Sequence, residues 1–235
     1  MKLTLVFALF WASLWAPPHA DRYALHAPWD ALLQRHVSAD GRVNYKGFAA
    51  DREQLKAYLK ALAQTSPAAG WSRAEKMAYW INAYNAFTVD LIVEHYPLKS
   101  ITQLDGGKTW DVKRIEIEGK KYSLNDLENS ILRPQFSDAR IHFAINCAAR
   151  SCPPLHNRAY TADNLERTLE ERTRRFIRNE RYNRIRPTRA EVSKIFDWYA
   201  DDFGDLRAFL SRYASITLAP TAEVVFLEYD WGLNE

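Results

Sequence analysis

The sequence predicts an α+β fold, a single compact domain of several helices packed on short, mostly antiparallel strands. Three observations carry this. Apolar residues recur at three- and four-residue steps over long stretches, which is the helical period. Short alternating runs flank turn signals such as Glu118-Gly119 and stand in blocks apart from the helices, the arrangement of α+β rather than α/β chains. No internal repeat, low-complexity tract or long linker divides the chain.

The elements follow in chain order. Lys2 and the apolar run Leu3 to Ala16, broken only by Thr4 and Ser13, precede Pro17-Pro18-His19-Ala20. A fourteen-residue run at helical rise reaches about 21 Å, short of a hydrocarbon core of ~30 Å. Residues 1–20 therefore read as a signal peptide cut after Ala20, with an uncleaved anchor as the alternative. The expected mature domain is 21–235, periplasmic or secreted, with no integral membrane segment. Trp29 to Val37 predicts a short helix, and Asp51 opens a second with Leu55, Tyr58, Leu59 and Leu62 on one face. Ser72 and Glu75 form a capping box ahead of a third helix that runs to about His95, before Pro97. A hairpin is expected around Glu118-Gly119, then a short helix from Ser123 through Leu132 that Pro134 ends. Alternation from Arg140 to Asn146 predicts a central strand. A helix over Thr161–Arg178, a hairpin over Arg184–Val192, helices near Ser193–Asp202 and Asp205–Tyr213, and a strand Val224–Tyr229 complete the chain.

Charge excludes one class of partner. Without Lys2 the 32 basic residues become 31 against 29 acidic ones, too even a balance for a dedicated nucleic-acid binder. Between Glu166 and Arg189 nine arginines face four glutamates. The i,i+4 pairs Glu170–Arg174 and Glu171–Arg175 make most of this stripe an ordinary solvated face. Lys194 and Asp197 are likewise expected to pair at the surface.

Chemistry concentrates in His142-Phe143-Ala144-Ile145-Asn146-Cys147-Ala148-Ala149-Arg150-Ser151-Cys152-Pro153-Pro154, which holds both cysteines of the chain. Three readings compete. In an oxidising compartment Cys147 and Cys152 would form a disulfide that pins the loop. Alternatively Cys147 is a nucleophile with His142 as its base, and Asn82, Asn85, Asn146 or Glu128 orients the histidine or supplies an acid. His142, Cys147, Cys152 and His156 also match the ligand types of zinc. Asn82 and Asn85 share one face of a helix that is apolar all round, so buried partners are required of them.

The stretch Met77-Ala78-Tyr79-Trp80-Ile81-Asn82-Ala83-Tyr84-Asn85-Ala86, with Leu124–Arg133, His142–Pro154, Ser193–Phe203 and Asp230-Trp231-Gly232-Leu233-Asn234, resembles the family called domain of unknown function 547. The resemblance runs from about Trp29 to Asn234. Its recurring polar positions fall on Asn82, Asn85, Glu128, His142 and Cys147. It implies an exported bacterial protein, and by fold-level analogy a tie to papain-like or transglutaminase-like hydrolases. The expected activity is a cysteine-dependent hydrolase or transferase acting on a peptide or amide bond, with no cofactor and no metal. A peptide-like or envelope ligand is the expected partner. The rival expectation is a non-catalytic envelope binding module closed by a Cys147–Cys152 disulfide.

Overall fold

The computed structural model describes residues 20–235, and side chains from residue 24 onward. The signal-peptide segment and its cleavage point lie outside these residues. The first half is helical. Helix α1 (Ala20–His36) passes through Pro28 and so starts earlier than the pattern from Trp29 predicts. Then come α2 (Tyr45–Ala50), α3 (Arg52–Ala63) and α4 (Arg73–His95). The capping box of α4 is formed: the Ser72 hydroxyl accepts from the Glu75 N–H, and the Glu75 carboxylate accepts from the Ser72 N–H. Helices α1, α2 and α3 pack around α4. Their apolar stripes, including Trp29, Leu33, Phe48, Tyr58 and Leu62, are buried, which leaves α4 surrounded by protein as an all-round apolar helix requires.

The predicted hairpin is present as β1 (Ile115–Ile117) paired antiparallel with β2 (Lys120–Tyr122). Two expectations fail beyond it. Ser123–Leu132 is not a plain α-helix: Asp126–Leu132 has wide π pitch and runs on into α5 (Arg133–Phe136). Pro134 therefore sits at the junction of the π segment and α5 and does not end the helix. Ala139–Phe143 is a 3₁₀ turn, not a strand. Its residues are buried on both sides of the alternation, Ile141 and Phe143 as well as His142 and Ala144, so the period-two reading had no solvent face to mark.

Helix α6 (Leu165–Ile177) follows, then β3 (Arg184–Arg186), β4 (Arg189–Val192), α7 (Ile195–Trp198), α8 (Ala200–Phe203), α9 (Leu206–Tyr213) and β5 (Glu223–Phe226). Strand β4 pairs antiparallel with β3 and parallel with β5. Apolar burial divides into two clusters. The larger gathers the α1–α4 residues with Ile141, Ala144 and Ile145; the smaller gathers Phe143, Phe176, Val192, Phe196 and Leu210. The segment 139–146 sends residues into both and so crosses the seam between them. No helix among the described residues is long and apolar enough to cross a membrane.

Candidate functional site

Asn82 and Asn85 place the loop that carries the chemistry. The Asn85 amide donates to the Ala144 carbonyl at 2.9 Å, and its oxygen accepts from the Asn146 N–H at 2.8 Å. Asn82 makes the same two-way clasp with the Tyr160 backbone, at 2.7 and 3.0 Å. Both amides are consumed by backbone, and neither lines the cavity described below. Asn146 then folds the loop. It donates to the Pro153 carbonyl and accepts from the Ala148 N–H and from Asn234. Ala148 has φ 63, a left-handed conformation that costs a β-carbon-bearing residue of order 1–3 kcal/mol. The closing residues latch the far side: the Arg150 N–H bonds the Gly232 carbonyl, Asn234 N–H bonds the Ala148 carbonyl, and Ala149 bridges Leu233.

This loop presents Cys147 to a cavity of about 320 Å³ that also holds Glu128, His142, Tyr199 and Tyr229. Its volume falls in the range of small-molecule sites, and its position at the seam of two apolar clusters is where such sites form. Cys147 is half-buried and Cys152 buried, and both are free thiols. The disulfide expectation is thus not met. The Cys152 sulfur accepts the Cys147 N–H at 2.9 Å, while the Cys147 sulfur meets the Tyr229 hydroxyl at 3.1 Å. Burial pushes the Cys147 thiol up, but hydrogen bonds from Cys152, Tyr229 and the Ala149 N–H outweigh it and bring the thiol below its ordinary range. Burial, then the neighbouring Cys147 sulfur, drives Cys152 the other way, so it stays protonated as a donor. Tyr229 is raised by burial and by the same two sulfurs.

His142 is buried and lies under the Tyr199 ring, with centroids 4.1 Å apart. Its Nε2 meets Asp202 at 2.7 Å, and its Nδ1 is 3.9 Å from Glu128. No hydrogen bond joins it to Cys147, so the direct base–nucleophile contact expected from the sequence is not formed. Asp202 is held far below the usual carboxylate range by His142, against burial, and by the Arg133 guanidinium at 2.6 Å. The Tyr199 hydroxyl is raised by burial and by its hydrogen bond and proximity to Glu128. The π segment Asp126–Leu132 carries Glu128, near His142 Nδ1, and the following Arg133 bonds the Asp202 that holds Nε2.

His156 stands apart. It packs edge-on against Tyr160 and does not reach the cavity. Among the described residues no three His, Cys, Asp or Glu side chains are grouped to hold a metal ion. Sequence reasoning brought together Cys147, His142 and Glu128 but missed Asp202, Arg133, Tyr199 and Tyr229. The available signal was Asp201-Asp202, two carboxylates closing the aromatic run Phe196 to Tyr199. Lys194 and Asp197 do pair at the surface, at 2.9 Å.

The family model described as "Protein of unknown function, DUF547" matches residues 68–177. That span contains Asn82, Asn85, Glu128, His142, Cys147 and Cys152, while Asp202 and Tyr229 lie beyond it. No curated protein and no solved structure matches the chain.

Proposed function

This chain belongs to the DUF547 family, and we propose that its cavity carries thiol-based acyl transfer on an amide or peptide bond. The observation that supports this reading is the placement of Cys147, a cavity-lining sulfur 3.1 Å from the Tyr229 hydroxyl, whose hydrogen bonds bring the thiol below its ordinary range. The thiolate is the reactive form of cysteine. The thiol proton leaves to the His142–Glu128 pair, across the cavity and without direct contact in the resting site. The Cys147 sulfur adds to the carbonyl carbon, the C–N bond breaks, and the departing amine takes that proton. Water then cleaves the thioester, restoring the thiol and releasing the acid. Asp202 fixes the imidazole through Nε2 and leaves Nδ1 for proton exchange, the role a carboxylate plays in other acyl-transfer sites. The half-buried Trp110 and Trp231, with the exposed Trp198, form an aromatic wall suited to a flat or apolar flank of the substrate. This chemistry is proposed for an exported protein, the compartment expected from residues 1–20.

Alkylation tests the reading. Iodoacetamide at neutral pH is expected to modify Cys147 about tenfold faster than a free cysteine peptide, while Tyr229→Phe slows it and buried Cys152 stays unlabelled. Peptide mapping by mass spectrometry reads both sites. Hydrolysis of an activated amide or ester probe by the native chain, lost in Cys147→Ser, is the companion result. Absence of titratable thiol in natively purified protein would instead favour the disulfide-closed binding module.

A further inference from the structure

Away from the thiol cavity, α6 carries a buried charge without a counter-charge. Arg172 is only 6% exposed. One of its nitrogens, Nη2, donates to the Pro154 carbonyl, and Nε is buried with no acceptor. A guanidinium has five N–H donors, and here the Nε–H is left without a protein acceptor. The groups that act on its charge are Tyr160, Arg175 and Tyr182, with no carboxylate among them. Burying an ion in this way is unfavourable unless a counter-ion joins it.

Arg175, one turn along the same helix, faces the same space. The expected Glu171–Arg175 pair is not formed, although Glu170–Arg174 is. Among the described residues Arg175 makes no ion pair. Arg172 and Arg175, with Asn179 and Tyr182, line a cavity of about 50 Å³. A single water needs roughly 10–15 Å³ by the same measure, so the space suits a group of several heavy atoms. Asp40 reaches its rim but is bonded to Ser38 and Arg42. The same arginines act on a nearby imidazole. His156 is pushed down to about 4 by burial and then by Arg172, Arg158 and Arg175.

We propose that this cavity binds one small oxoanion of the phosphate or sulfate type, its oxygens accepting from Arg172 and Arg175. Planar guanidinium forks match such oxygens closely. The site is independent of the thiol reading, yet it adjoins that loop: Pro153 lines both cavities, and Arg172 holds the Pro154 carbonyl.

Thermal unfolding of the full chain tests it, in sodium phosphate, sulfate or chloride at equal ionic strength. Phosphate and sulfate are expected to raise the midpoint saturably within about 10 mM, as a ligand that binds only the folded state does. Chloride should not. Arg172→Met keeps the buried stem, drops the charge and is expected to abolish the shift. Arg175→Gln, at an exposed position, is expected to weaken apparent affinity about tenfold and keeps the test valid if the first variant fails to fold. Glycerol phosphate in place of phosphate separates sources. An equal shift assigns the site to a phosphoryl group on a larger ligand, and a shift with inorganic phosphate alone assigns it to the free ion. Equal behaviour of all salts, or an undiminished phosphate shift in Arg175→Gln, overturns the proposal.

Discussion

Asn85 spends both ends of its amide on the backbone just before Cys147, bonding the Ala144 carbonyl and the Asn146 N–H. Replacing it with alanine leaves two buried backbone groups unsatisfied, each costing about 1–3 kcal/mol. Asn85→Ala is therefore expected to lose about 2–6 kcal/mol in urea unfolding at neutral pH. The Cys147 alkylation rate should fall with it, because the clasp also sets the angle at which the loop leaves. A neutral change in both measurements would show that the loop holds itself. His142 and the two asparagines were legible because polar side chains stand out in apolar surroundings, Cys147 because both cysteines of the chain fall in one segment, and Glu128 through the family resemblance. Asp202 and Tyr229 were not. They meet His142 and Cys147 across 60 and 82 residues of chain, and their local context reads as core.

At the scale of elements, legibility depended on period. Helix α4 and both hairpins have clean signals and fell where expected. The Asp126–Leu132 segment did not, because one extra residue per turn is invisible to a 3.6-residue pattern. That extra residue has a purpose that can be tested. Deleting Ser130 should restore α pitch and draw in the widened turn that carries Glu128 beside His142. Helical content by circular dichroism is expected to stay within error while Cys147 reactivity and its pH profile change. Retention of the wild-type profile would mean that Glu128 takes no part. The 139–146 segment was misread for a related reason: alternation identifies a strand only when one face meets water, and here both are buried.

At the scale of the whole molecule, two histidines are enclosed in neutral form. Burial pushes His26 down to about 4, and burial with the surrounding arginines does the same to His156. The unfolded chain takes up protons on both below about pH 6.5, while the folded chain resists until about pH 4. Stability from this source is thus complete above pH 6.5 and is lost as pH falls toward 4, by up to about 3 kcal/mol per histidine. Urea midpoints at pH 7 and pH 5 are expected to separate, and His156→Gln should narrow the gap. A gap unchanged in that variant would remove His156 from the account. The latch formed by Tyr229 to Asn234 has a consequence for timing. Cys147 leaves the ribosome more than eighty residues before the hydroxyl that lowers its thiol. During synthesis the sulfur has only its local partners, Cys152 and the Ala149 N–H, and the Tyr229 hydroxyl joins them when the closing segment docks, so the full surroundings of the thiol are assembled last.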